Sequence, residues 1–157
     1  MTRTTLILIA AAGSAALLLG AFGFQHLGAL APCKLCLWQR WPHAVAVALG
    51  ALALLLAGTG QRVIALLGAV AAFTTAGIGL YHVGVEQSWW EGPNTCTSAP
   101  VGTLSTDQLL DQIMTAPLVR CDEIAWSFAG LSMAGWNMVI AFGLGLVWLA
   151  AARQRDA

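Results

Sequence analysis

The charges of this chain are spaced so that four long stretches carry none, and uncharged runs of this length are the primary sign of helices that cross a bilayer. Arg3 and Lys34 bracket 30 uncharged residues, Arg40 and Arg62 bracket 21, Arg62 and Glu86 bracket 23, and Glu123 and Arg153 bracket 29. A soluble domain is about one-quarter charged, whereas these 157 residues are 9% charged and 59% apolar. So few charges cannot clothe a water-facing surface of this size. Seven Lys and Arg against seven Asp and Glu leave no basic patch for nucleic acid, and the apolar content rules out disorder. An integral membrane protein remains.

The expected class is all-α, a single membrane domain over residues 1–157. The expected span cores are Leu6 to Phe24, Pro42 to Gly58, Val63 to Gly84 and Leu131 to Ala152, each near the ~20 residues that a ~30 Å hydrocarbon layer requires of a helix. A spanning strand needs only ~10 alternating residues, so these lengths argue against a barrel. All four cores are rich in Ala, Gly and Leu. Small residues let backbones approach closely in lipid, so a compact four-helix bundle is expected. The first core also resembles a secretory leader, but its 19 residues exceed the usual ~7–15 and Ala21, Phe22, Gly23 is a poor cleavage site, so it is expected to stay.

Arg3, Arg62, Arg153 and Arg155 all fall on the side that holds both termini, together with the turn Thr59 to Gln61. Basic residues mark the cytoplasmic side. Opposite lie the loops of about residues 25–41 and 85–130, the second carrying six of the seven acids within Glu86 to Glu123. Trp38, Trp41, Trp89, Trp90, Trp126 and Trp136 gather at that outer boundary, as an interfacial aromatic belt does.

All four cysteines, Cys33, Cys36, Cys96 and Cys121, then lie outside, where disulfides persist. Four cysteines allow three pairings. Cys33 and Cys36 form a C-x-x-C at the start of a helix, where the terminal amides favour a thiolate. The same spacing serves as half a zinc site, but Cys96 and Cys121 are separated by 24 residues and supply no second close pair. No His follows Cys36, which excludes covalent c-type haem. No metal is expected.

Arg40 follows Cys36 by four residues, one helical turn on along the same face. A guanidinium there is expected to stabilise a Cys36 thiolate and to donate to a quinone-like carbonyl; the plainer alternative is an arginine snorkelling to the headgroups. In the long loop, Ser105-Thr106-Asp107-Gln108 reads as a capping box ahead of Leu109, Leu110, Ile113 and Met114, so a short amphipathic helix is expected on the membrane surface until Pro117. A disulfide closing the loop between Cys96 and Cys121 as a plain staple would be worth about 3 kcal/mol. His26, His43 and His82 fall near the outer ends of three spans; a functional role is assigned to His82 alone, and Glu86 is expected on a solvated surface.

These residues resemble the DsbB family of bacterial inner-membrane thiol oxidases. The resemblance rests on Phe24-Gln25-His26, Pro32-Cys33-Lys34-Leu35-Cys36 with Arg40, Tyr81-His82 ahead of Cys96, Cys121-Asp122, and the run Trp126, Phe128, Gly130, Leu131, Met133 and Trp136. It covers nearly the whole chain in order. The likeness implies reoxidation of a DsbA-like periplasmic dithiol, with electrons passing to the membrane quinone pool, ubiquinone or menaquinone, and with the cysteines on the periplasmic face. It implies that Cys96 forms the mixed disulfide with DsbA, that Cys121 exchanges with Cys33, and that Cys36 faces quinone beside Arg40. Gln39, where an acidic residue can stand, and the His82 to Cys96 spacing depart from the pattern and bear on the His82 role.

A magnitude constrains the loop pair. DsbA lies near −120 mV and structural disulfides usually lie below about −300 mV, so a structural loop disulfide would oppose oxidation of DsbA by roughly 8 kcal/mol. The loop pair is therefore expected to be strained or exposed. Other classes fit less well. A vitamin K epoxide reductase-like enzyme carries its C-x-x-C in the last span, a membrane cytochrome using His43 and His82 leaves the cysteines idle, and a disulfide-stapled structural protein has no use for Arg40.

Overall fold

The computed structural model describes residues 1–93, 105, 107, 110, 114 and 119–154. Within them run α1 (Arg3–His26), α2 (Lys34–Ala53), α3 (Thr59–Glu86), a minimal hairpin of β1 (Ser127–Phe128) and β2 (Leu131–Ser132), and α4 (Met133–Arg153). Polar N-caps start three of the helices: Thr2, Cys33 and Ser132 accept from the amides of Thr5, Cys36 and Gly135, satisfying donors that a helix start otherwise leaves open. By length and apolarity α1, α3 and α4 are able to cross a membrane, with mean hydropathies of 2.2, 2.1 and 1.7. The first half of α2 carries Lys34, Gln39, Arg40 and His43, which sets it apart.

The packing inverts that of a soluble protein. Ala10, Ala46, Ala65, Ala69, Ala72 and Ala151 form the buried core, while Leu19, Val63, Leu67, Val70 and Phe142 face outward. Outward Leu and Val match lipid, and inward Ala and Gly bring the helix backbones together. The largest buried side chain, Trp148, is fully enclosed and lies flat against Gly68, where an added Cβ would meet its indole atoms at 2.5–2.6 Å. With the ring walled in, Gly68→Ala is expected to cost about 1–3 kcal/mol by overpacking. The check is the thermal midpoint in detergent, and an unchanged midpoint would mean that Trp148 has room to move.

One end of the molecule is knotted by Arg3. Its guanidinium donates to the carbonyls of Ala151 (3.3 Å), Gly58 (3.0 Å) and Gln154, tying the start of α1 to the α2–α3 turn and to the end of α4. The cysteine-bearing start of α2 lies at the opposite end. Two expected boundaries move. The span expected to reach Gly58 leaves the helix at Ala53, and the expected turn at Thr59 to Gln61 is helical. The reversal lies at 54–58 because it needs a left-handed residue, which Gly58 supplies at φ 54°, and the apolarity of Leu54 to Leu56 carries no information about where a helix stops.

The hairpin is a second difference, since residues up to 130 were expected as loop and 131 as span. Ser127 pairs with Ser132 and Phe128 with Leu131, across Ala129 at φ 50° and Gly130 at φ 79°. Two left-handed residues match the twist of a two-residue hairpin. Ala-Gly lacks the Asn-Gly or Asp-Gly signature that makes such a turn readable. The expected amphipathic helix from Ser105 falls almost wholly outside the described residues.

Candidate redox site

Pro32 leads extended backbone into α2, so Cys33 (φ −71°, ψ 170°) takes the N-cap position and turns its sulfur over the first turn. Its Sγ accepts from the Cys36 amide at 3.2 Å and lies 2.8 Å from the Cys36 Sγ, to which its thiol donates. Both are free thiols, Cys33 buried and Cys36 half-buried. That hydrogen bond and then burial push the Cys33 thiol far above its ordinary value. Of the two thiols, Cys36, beside the helix-start amides, is therefore the readier to ionise.

Donor and acceptor roles around the pair are forced by one group that can only accept. The Leu35 carbonyl takes one proton of the Gln39 amide at 3.2 Å, and the other points to His82 Nδ1 at 3.0 Å. His82 Nδ1 thus accepts, and its Nε2 carries the hydrogen, 3.6 Å from the Cys33 sulfur. Gln39 Oε1 accepts from Asn137 Nδ2 at 2.7 Å, and the second Asn137 proton goes to Thr75 Oγ1 at 3.3 Å. Thr75 in turn donates to the Gln39 carbonyl at 2.9 Å. Asn137 Oδ1 is left to accept from His43 Nε2 at 2.8 Å. Three helices are joined by this chain of contacts behind the thiols.

Cys33, Cys36 and His82 hold their ligand atoms within 4.8 Å of one another, a grouping that the sequence reading, with no metal expected, did not anticipate. Two thiolates on tetrahedral zinc at about 2.3 Å each stand about 3.8 Å apart. At 2.8 Å the two sulfurs stand closer together than that geometry allows.

Cys121 is disulfide-bonded and fully buried, packed with Cys33, Leu35 and Val85 in one cluster. Cys96 lies outside the described residues. Of the two conditions expected for the loop pair, strained or exposed, exposure does not hold at Cys121, which is buried in the same cluster as Cys33. Its neighbours face water: Arg120 forks onto Asp122 at 3.0 and 2.6 Å, and this guanidinium holds the Asp122 carboxyl below the usual carboxylate range.

Beside the pair opens a cavity of about 460 Å³, lined by Cys33, Cys36, Arg40, His43, His82 and Glu86. Its aromatic wall is continuous, with Phe24 against Trp126 (5.1 Å between ring centres), Trp126 stacked on Phe128 (6.2 Å) and Phe128 against Trp136 (6.3 Å). Trp126 and Trp136, expected as belt residues, help build this wall. Arg40 lines the cavity with Cys36 and is also fastened to a neighbouring helix. Its hydrogen bonds go to α1, to Gln25 Oε1 at 2.6 Å and the Ala21 carbonyl at 3.4 Å, and its guanidinium lies 4.9 Å over the Phe22 ring. Its Nε is buried without a partner.

Glu86 corrects the expectation of a solvated acid. It follows His82 by one turn of α3, and its side chain, 5% exposed, lies 3.8 Å from His82 Nε2 and accepts from Ser132 Oγ at 2.5 Å. Sequence reasoning placed Glu86 on the surface, set His43 aside in favour of His82, and missed Asn137 and Thr75. The only signal for Asn137 and Thr75 was polarity inside an apolar run, which marks function in a membrane helix by default.

A helical protein apolar enough to span a membrane, with two adjacent thiols against an aromatic cavity, points to a redox class, and comparison with known proteins narrows it. The family model for Disulfide bond formation protein DsbB matches residues 3–151. Disulfide bond formation protein B of Methylococcus capsulatus is 36% identical over 148 residues, covering 88% of this chain and 90% of the relative. Its counterparts in Albidiferax ferrireducens and Hahella chejuensis are each 30% identical, covering 85% and 96% of this chain and 82% and 94% of the relative. No solved structure matches. The chain belongs to the DsbB family and is a disulfide-forming membrane oxidoreductase.

Proposed function

We propose that this chain takes electrons from a reduced DsbA-like periplasmic dithiol through a Cys96–Cys121 disulfide, passes them to Cys33 and Cys36, and delivers them to a membrane quinone in the cavity beside Cys36. The carrying observation is that buried Cys121 packs in the same cluster as Cys33, whose partner sulfur lines that cavity. A quinone head is a flat ring with an oxygen at each end. The aromatic wall suits its faces, and the N–H of the partnerless Arg40 Nε suits one of its oxygens.

In this reading a partner thiolate attacks Cys96 and releases Cys121 as thiolate. Cys121 attacks the Cys33 sulfur of a Cys33–Cys36 disulfide; the Cys33–Cys121 bond forms as the Cys33–Cys36 bond breaks, and Cys36 leaves as thiolate. His82 Nε2–H, facing Cys33, steadies charge on that sulfur during exchange. The partner's second thiolate attacks the mixed disulfide, so that the partner leaves oxidised and Cys96 is freed as thiolate; Cys96 then attacks Cys121, which restores the loop disulfide and leaves Cys33 and Cys36 reduced. A bound quinone supplies a two-electron, two-proton acceptor for that dithiol.

The chain acts as one domain, a four-helix membrane bundle with both termini cytoplasmic and its cysteines periplasmic in the bacterial inner membrane. The gathering of Arg3, the α2–α3 turn and the end of α4 at the end away from the thiols supports this orientation. With both disulfides reduced, a membrane-impermeant thiol reagent is expected to label the cysteines from the periplasmic side; labelling from the cytoplasmic side alone overturns the layout. The functional test is quinone consumption by purified protein supplied with reduced DsbA. With the partner's second cysteine removed, a mixed disulfide is expected to accumulate and to vanish in Cys96→Ser. Loss in Cys121→Ser but not in Cys96→Ser would reverse the order within the loop.

A further inference from the structure

We infer that His43 is a ligand of the cavity's occupant and is selective for its reduced form, accepting a hydrogen bond from a quinol hydroxyl through Nδ1. The inference deepens the proposed function and rests on it. His43 is 3% exposed, lines the cavity, and buries its Nδ1 with no partner. A buried, unpaired ring nitrogen is costly unless a ligand satisfies it.

The protonation of that nitrogen follows from the contacts already described. Leu35 offers only a carbonyl, so Gln39 must present its amide nitrogen to Leu35 and His82 and its oxygen to Asn137. Thr75 spends its hydroxyl proton on the Gln39 carbonyl and so must accept from Asn137. Both Asn137 protons are then committed. Its oxygen can only accept, and His43 Nε2 must be the donor. A neutral imidazole with hydrogen on Nε2 has a bare lone pair on Nδ1. Such a lone pair accepts from a quinol O–H and gives nothing to a quinone carbonyl.

His43 thereby discriminates between substrate and product of the same size and shape. Removing the acceptor weakens quinol alone. Asn137, Gln39 and Thr75 are positioning residues, for they fix which nitrogen of His43 is bare.

The test uses the full-length, fully reduced protein in detergent, so that quinol and protein cannot oxidise one another. The probes are a decyl-substituted ubiquinol and, with Cys33 and Cys36 oxidised, the matching quinone. Binding is read by quenching of tryptophan fluorescence. His43→Leu is expected to raise the quinol dissociation constant about tenfold and to leave that of the quinone within about twofold. His43→Gln keeps a donor for Asn137 and an acceptor for the cavity, and is expected to recover part of the quinol affinity that His43→Leu loses. Independently of any variant's folding, the ¹⁵N signal of His43 Nδ1 in the unaltered protein, assigned by its loss in His43→Gln, is expected to move on adding quinol and to stay on adding quinone. Equal weakening of both forms, no weakening, or an unmoved Nδ1 signal overturns the inference while leaving quinone turnover with reduced DsbA intact. Absence of that turnover in the unaltered protein overturns the proposed function, and the inference with it.

Discussion

Cys36→Ser is expected to bring quinone consumption down to background and to trap a disulfide between Cys33 and Cys121. The thiolate is the reactive form of cysteine, and a serine hydroxyl cannot replace it as electron donor or leaving group. With Cys36 gone, Cys33 cannot return to its C-x-x-C partner. Cys33 attacking Cys121 of the loop disulfide forms the cross-link and releases Cys96 as thiolate; the bond then lacks the sulfur that would resolve it from the Cys33 side, and packing in one buried cluster favours it. Peptide mapping under non-reducing conditions should recover a cross-link joining residues 33 and 121. Cys33→Ser should lose turnover without this cross-link. Appreciable turnover in Cys36→Ser would remove Cys36 from the path, whereas loss of turnover with no cross-link would remove Cys121 as the partner of Cys33.

The second large effect concerns Arg40. Its hydrogen bonds to Gln25 and Ala21 and its place over Phe22 fasten the guanidinium to α1, leaving Nε without a partner on a residue that lines the cavity. A charged hydrogen bond is worth about 1.5–3 kcal/mol, and about 1.4 kcal/mol is tenfold in affinity. Arg40→Ala is therefore expected to raise the apparent Michaelis constant for quinone by about tenfold to a hundredfold. Arg40→Lys keeps the charge and the anchor to the headgroups but cannot donate from a planar fork to Gln25, Ala21 and a cavity oxygen together. It is expected to insert normally and to show an intermediate rise. Steady-state kinetics at varied quinone decide the matter, and an unchanged quinone dependence in both variants would reduce Arg40 to an anchor.

Residue types carried much of the fold. Charge spacing found the helices because an unpaired charge in hydrocarbon is costly wherever it falls, so long uncharged runs follow directly from the medium. It overestimated α2 at one end because Leu54 to Leu56 are as apolar as any span, while the turn depends on a backbone angle at Gly58. In the site, Cys33, Cys36, Arg40 and His82 were legible because their spacing is local or their chemistry rare. Gln39, Asn137, Thr75 and His43 were not. Their meaning lies in pairings across helices, up to 98 positions apart for Asn137 and Gln39, and no periodicity records which buried polar groups meet. Glu86 was misread for the same reason, since its partner Ser132 arrives from a distant hairpin.

Ser132 holds two posts at once, capping α4 and donating to Glu86. It is therefore a fixed anchor for the chain that leads back to Cys121. Fully extended, that stretch reaches at most about 40 Å, so Cys121 remains within a small sphere around Cys33 even if the loop is pulled outward. A tether of this length holds the two sulfurs at an effective concentration of about millimolar order. Their exchange is then first order in the protein alone: diluting the enzyme in the membrane slows its encounters with a partner but leaves the return of Cys121 to Cys33 at the same rate.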